Sequence, residues 1–216
     1  MKEFSTGCRL CPRLATFLDE VRGAQPGYFA KPVPSFGEAG TSLLIVGLAP
    51  GMHGANRTGR PFTGDYAGDL LYGTLHKYGL ATAAEPLDAD KRANPELALK
   101  GCRITNAVRC LPPQNKPEPA EIKQCNGYLA QELAALPQGA AVLALGTIAH
   151  DAVLRASGLK VKDFKFAHNA QHRLPNGSKL YDSYHCSRYN TQTRRLTEAM
   201  FHQVFESILE HHRLRS

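Results

Sequence analysis

Apolar residues in this chain gather in short continuous runs instead of alternating with polar ones. Leu43-Leu44-Ile45-Val46 is one such run, β-branched at its end and closed by Gly47, and 103–108 and 140–145 read the same way. Runs of this length mark strands buried on both faces, the usual situation in a parallel sheet. Residues 179–185 are a fourth candidate strand. Between the runs the period becomes helical. Helices are predicted over 65–78, stopped by Gly79, and over 119–136, with Pro119 in the first turn. Two more are predicted over 147–156, stopped by Gly158, and over 193–212. In the last, Leu196, Met200, Val204 and Ile208 recur every four residues, and Phe201, Phe205 and Leu209 widen the stripe into a core-facing surface.

Strands alternating with helices predict an α/β fold whose sheet is covered on both faces. In such sheets ligands bind at the carboxyl ends of the strands. The loops there are 47–64, 106–116 and 185–195, the most unusual stretches of the sequence. Residues 81–100, rich in Ala, Asp, Glu and Pro, read as a surface insertion. No internal repeat and no low-complexity segment interrupts the pattern.

The 216 residues suit one sizeable domain, given about 150 residues per domain. With 43% hydrophobic and 21% charged residues the composition is that of a folded globular chain, which excludes extensive disorder. No apolar run approaches the ~20 residues of a membrane span, and the start, Met1-Lys2-Glu3-Phe4, does not read as a leader. The expectation is a soluble cytoplasmic protein that does not engage membranes, and, lacking an exposed apolar repeat, a monomer.

Charge changes the picture more. The formal net charge is +7, and residues 155–195 hold nine basic residues against two acids, a surplus equal to that of the whole chain. A localised surplus suits a polyanion, because binding phosphates releases counterions; an ordinary solvated basic face is the plainer reading. His168, His172 and His185 lie in the same stretch and are expected to sharpen its charge at low pH.

Of six cysteines, four show a pattern: Cys8 and Cys11 as C-x2-C, then Cys110 and Cys125 as C-x14-C. A C-x2-C turn aims two thiolates at one point, and a distant pair completes a four-sulfur site. Zinc and a [4Fe–4S] cluster both accept such a set, and spacing does not separate them. Cys102 and Cys186 are expected to be small core residues or free thiols.

The loops carry the chemistry. The stretch from Gly47 to Asp65 holds five glycines in nineteen residues, which permits close backbone approach to a ligand. It contains neither G-x4-G-K-[ST] nor G-x-G-x-x-G, so nucleotide hydrolysis and dinucleotide binding have no support. Asp65 stands where a helix begins, as an N-cap would. Asn106 ends a buried strand, and its amide offers one acceptor and two donors, the complement of an imide edge. His185 stands beside a loop rich in Ser, Asn and Arg, able to donate to a developing anion while Arg188, Arg194 and Arg195 hold phosphates.

The segment GLAPGMHGANRTGRPFTGD, the strand-loop TNAVRCLPP, the loop HCSRYNTQTRRLT and the four spaced cysteines resemble the type b (family 5) uracil-DNA glycosylases, in order and over nearly the whole chain. The resemblance implies an α/β/α sandwich of three layers around a four-stranded, mainly parallel sheet, with an N-terminal arm tied in by a [4Fe–4S] cluster on Cys8, Cys11, Cys110 and Cys125. It implies DNA, double- or single-stranded, as partner and hydrolytic removal of uracil as the reaction, with tolerance of hypoxanthine and xanthine. It places Leu48, Ala49, Gly51 and Phe62 around the base, Phe62 stacking on it. Asn106 would read the base edge, His185 bond the departing uracil, Asp65 serve as the acid, and Asn190 complete the His-containing loop. Other branches carry an acid or amide at one of the positions held here by Leu48 and Ala49; the type b pattern lacks it. Gly51 replaces the family's usual Ala, and Tyr181-Asp182-Ser183-Tyr184 replaces the Arg-rich loop of the branch that is trapped covalently on DNA. The rival reading is a non-catalytic nucleic-acid-binding module with a structural iron–sulfur or zinc centre. A zinc-dependent nucleobase deaminase is excluded by the absence of H-x-E…P-C-x-x-C. The expected location is the cytoplasm in association with the nucleoid, and recruitment by a sliding clamp is left open.

Overall fold

A computed structural model of the chain describes residues 3–212, so Met1 and Lys2, where the leader reading began, lie outside the described residues. Four strands follow the apolar runs: β1 (Leu43–Gly47), β2 (Cys102–Asn106), β3 (Ala141–Leu145) and, last in the chain, β5 (Lys179–Ser183). β1 and β3 are buried at every position and β2 and β5 at four of five, which is why their sequences are continuously apolar. A fifth strand, β4 (Gln171–Arg173), pairs antiparallel with β5 at the sheet edge. The order is β2-β1-β3-β5-β4, with every other pairing parallel. The sheet therefore has five strands where four were expected. Gln171-His172-Arg173 is three residues long and solvated at the sheet edge with no strand beyond it, so it leaves no hydrophobic signal.

Helices cover both faces. α3 (Tyr66–Lys77) and α7 (Glu198–His212) lie on one, where Leu71, Leu75, Phe201, Val204, Phe205 and Ile208 pack on Leu43, Ile45 and Leu143. α4 (Pro119–Ala134) and α5 (Thr147–Ala156) lie on the other, where Leu129, Leu133, Ala152 and Val153 meet Leu44, Val46, Val142 and Leu180. The alternation of odd and even positions along β1 feeds the two layers in turn. A third cluster forms beside the sheet, where Leu14, Leu18 and Val21 of α1 (Pro12–Ala24) meet Val108, Leu111 and Tyr128.

Three helices were not read from the sequence: α1, α2 (Ala55–Thr58) and α6 (Arg188–Gln192), the last capped by the Ser187 side chain. The final helix begins at Glu198, not at 193, because Arg194 takes a left-handed conformation (φ 56°) that breaks the chain between α6 and α7. The 81–100 stretch is anchored by bridges Ala81–Leu99 and Leu87–Ala93 and buries Leu97 in the core. Its carbonyls at Lys91 and Asn94 accept from the Arg57 and Arg60 guanidinium groups at 3.0 and 2.7 Å, so the insertion braces the first glycine-rich loop. Cys102 and Cys186 are buried core thiols. Among the described residues, no helix is long and apolar enough to cross a membrane.

Candidate active site

The carboxyl ends of β1 and β2 lie side by side, with Gly47 in register with Asn106. A cavity of about 530 Å³ opens there, within the range of small-ligand sites. Leu48, Ala49, Gly51, Phe62, Asp65, Asn106, His185 and Arg188 all line it, so residues from three separated loops share one wall. Asn190 does not line it. Its amide donates to the His185 backbone carbonyl at 2.8 Å and thus holds the His-bearing loop instead of facing the cavity. Arg194 and Arg195 are exposed but away from the wall, Arg195 lying over the Tyr184 ring.

Asp65 is both a helix cap and a cavity residue. Its Oδ1 accepts from the Gly68 N–H at 3.0 Å, the N-cap bond of α3. Its Oδ2 lies against Gly54, 2.8 Å from where a Cβ would stand. Asp65 is exposed as a whole residue, yet the protein packed around its carboxyl desolvates it and raises its pKa above the usual carboxylate value, against the lowering by the Gly68 and Ala67 N–H groups. Burial also drives His185 down to about 4, so its imidazole is neutral at physiological pH, one nitrogen a donor. The His185 ring stacks on Phe62 with centroids 5.9 Å apart. Asn106 is 4% exposed, and among the described residues no group hydrogen-bonds its amide. Its amide atoms open onto the cavity, where they are available to pair with a ligand.

Glycine permits the close approach. A Cβ at Gly47 would collide with Asn106 Oδ1 and lie 2.6 Å from the Phe62 ring, and one at Gly68 would overlap the Phe62 carbonyl. Gly47→Ala is therefore expected to displace Asn106 and Phe62 and to cut turnover by about 10²-fold while the fold persists, checked by single-turnover rates beside circular dichroism. The loop after β2 is fixed by buried Arg109, which donates to Glu132 at 2.7 Å and to Ser35 at 2.6 Å.

A second group of side chains gathers in the α1 cluster. Cys8, Cys11, Cys110 and Cys125 line one small cavity, with the Arg109 N–H donating to Cys125 Sγ at 3.3 Å and Tyr128 Oη 3.5 Å from Cys8 Sγ. Burial and the neighbouring sulfurs push Cys11 and Cys110 upward, and burial takes Cys125 to about 11. Thiolates crowded this way need a cation to exist. A four-sulfur set of this kind accepts either zinc or an iron–sulfur cluster.

Residues 34–209 match the family model of the uracil DNA glycosylase superfamily. The chain belongs to that superfamily. It is 48% identical over 204 residues to the type-5 uracil-DNA glycosylase of Thermus thermophilus, covering 92% of this chain and 91% of that relative. It is 41% identical to the type-5 enzyme of Mycobacterium leprae, over 92% of this chain and 88% of that one. For the type-5 enzyme of Pyrobaculum aerophilum the figures are 37%, 88% and 82%. Within the superfamily the chain therefore sits with the type-5 glycosylases.

Some site residues of this type-5 chain escaped the sequence reading. Tyr66 and Asn115 line the cavity, Asn115 in a left-handed conformation (φ 56°), and Tyr189 beside Arg188 is 72% exposed. Tyr189 is adjacent to the His-bearing motif, and an aromatic among Arg and Asn was the available signal. Of the nine basic residues in 155–195, only Arg155 has an ion-pair partner among the described residues, which leaves the surplus free for a polyanion. Two of the three histidines do not add to it as expected. His185 stays neutral to about pH 4, and burial lowers His168.

Proposed function

We propose that the chain is a monofunctional uracil-DNA glycosylase that draws a uracil nucleotide out of DNA into the 530 Å³ cavity and hydrolyses its N-glycosidic bond. The observation that carries this reading is the meeting of three groups around one cavity: an Asn106 amide, a neutral His185 imidazole and the Asp65 carboxylate. The amide pairs with the imide edge of uracil. Phe62 gives the extruded ring an aromatic surface. Bond cleavage leaves positive charge on the sugar and negative charge on the base. His185 donates its N–H to the leaving base, and anionic Asp65 stabilises the sugar and orients the attacking water. Arg188, with Arg194 and Arg195 farther out, holds phosphates, and Tyr189 meets the bases at the cavity mouth.

Leu48 and Ala49 bring no polar side chain to the base, so edge recognition rests on one Asn whose amide can turn over. This supports acceptance of hypoxanthine and xanthine beside uracil. Release of free uracil from a U·G duplex by the purified chain tests the reading; tight binding without release would favour a non-catalytic binding module.

Asp65 must be ionised and His185 neutral, and both conditions fail on the acid side. Base release is expected to be level near neutrality and to decline on acidification, as Asp65 gains its proton above the ordinary 3.8 and His185 near 4. A single-turnover pH profile that rises on acidification would contradict this assignment.

The four cysteines fit a [4Fe–4S] cluster, which would tie the N-terminal arm to the loop after β2 and the start of α4. The cluster supplies cross-linking there, and the Asp65–His185 chemistry does not pass through it. Cys125→Ser is expected to remove visible iron–sulfur absorbance and to lower the thermal midpoint by several degrees; a colourless wild type that carries zinc on the same cysteines would contradict it. We place the enzyme with the chromosome as a monomer, which size-exclusion chromatography tests.

A further inference from the structure

On the α4/α5 face of the sheet, away from the cavity wall, the structure brings together three side chains that the glycosylase reading does not use. Asp182 of β5 is fully buried. Its Oδ1 lies 2.8 Å from Nδ1 of buried His150 on α5, and its Oδ2 lies 3.3 Å from Nε2 of His172 on β4. One donor atom from each of the three lies within 4.8 Å of the other two. The second nitrogen of His150, Nε2, is 3.1 Å from the Phe164 carbonyl.

We propose that His150, His172 and Asp182 form a binding site for one zinc-class divalent transition ion. Two imidazoles and one carboxylate are the donor set of open zinc sites, whereas magnesium and calcium take oxygen ligands. Ligand atoms around a tetrahedral zinc stand about 3.3 Å apart, between the hydrogen-bonded distances and the 4.8 Å limit observed here. Nε2–H of His150 donates to Phe164, which fixes the ring with the Nδ1 lone pair toward the site, the outer hydrogen bond typical of a metal-bound histidine. The proton that Nδ1 shares with Asp182 in the absence of an ion leaves on binding. His172 is only half-buried on the edge strand, so an ion enters from that side and a water takes the fourth position. Phe164 and Phe166 close the other walls edge-on to His172 and His150, at 5.7 and 5.6 Å. The ion would join α5, β4 and β5 three residues before His185, pinning the strand from which that histidine leaves the sheet.

The test is a titration of Zn2+, and separately of Co2+, onto the full-length purified protein with its cysteine site as isolated. Wild type and His172→Asn are compared by calorimetry and thermal melting. Wild type should take up one Zn2+ per chain at this site and melt several degrees higher with it. His172→Asn should lose that uptake and that shift while matching the metal-free wild type in melting and circular dichroism. Bound Co2+ should show tetrahedral d–d bands without the intense sulfur-to-metal charge transfer of a thiolate site. No uptake, equal uptake by the variant, or a sulfur-dominated spectrum would each overturn the proposal and leave a metal-free His–Asp–His network. None of these outcomes depends on base release, so the glycosylase reading stands or falls separately.

Discussion

Asp65→Asn is expected to cut uracil release by about 10²–10⁴-fold, the usual contribution of a positioned acid or base, and at the same time to raise the thermal midpoint at neutral pH. The two effects have one cause. Desolvation raises the Asp65 pKa, so its ionised form is less favourable in the folded chain than in the unfolded one. That cost is fully present above the raised folded pKa and vanishes below the ordinary carboxylate value. Asparagine is an equally good N-cap, so the Oδ1 bond to the Gly68 N–H that starts α3 survives the exchange. Affinity for a uracil duplex should hold within a few-fold. Thermal melts at acid and neutral pH check the sign: the gain of the variant must shrink as pH falls. A variant that melts lower and stays active would make Asp65 a cap and nothing more.

His185→Ala is expected to slow release by about 10²–10³-fold, the cost of removing one donor to a developing anion. Its stability signature differs from that of Asp65→Asn. The folded protein holds His185 at about 4 where an unfolded chain protonates it near 6.5. The wild type therefore loses stability as pH falls from about 6.5 toward 4, and the variant is spared that loss. Melting curves across this window separate removal of a buried neutral imidazole from simple loss of packing against Phe62, which lowers stability equally at every pH.

The sequence made the four parallel strands legible because burial on both faces leaves continuous apolar runs such as Leu43 to Val46. It made Asp65 legible as a cap, and the structure places the same residue on the cavity wall. Edge strand β4 was illegible because a solvated three-residue strand has no hydrophobic period. Asn190 looked like a base contact because its neighbours are site residues; only coordinates reveal that its amide is spent on the His185 carbonyl. The left-handed turn at Arg194 that separates α6 from α7 also had no marker, since no glycine stands there. Spacing brought the four cysteines together on paper, and the structure gathers them around one small cavity. The Asp182 network was hidden because its members lie 10 to 32 residues apart on three elements, and pairing across the sheet assembles them.

The crystal structure of Asp65→Asn bound to a duplex containing one U·G pair measures the central claim directly. The uracil should lie outside the helix, its ring on Phe62, its imide edge on the Asn106 amide and His185 within hydrogen-bond distance of a carbonyl oxygen of the base. A uracil still stacked in the duplex, or one held on another face of the protein, would contradict it.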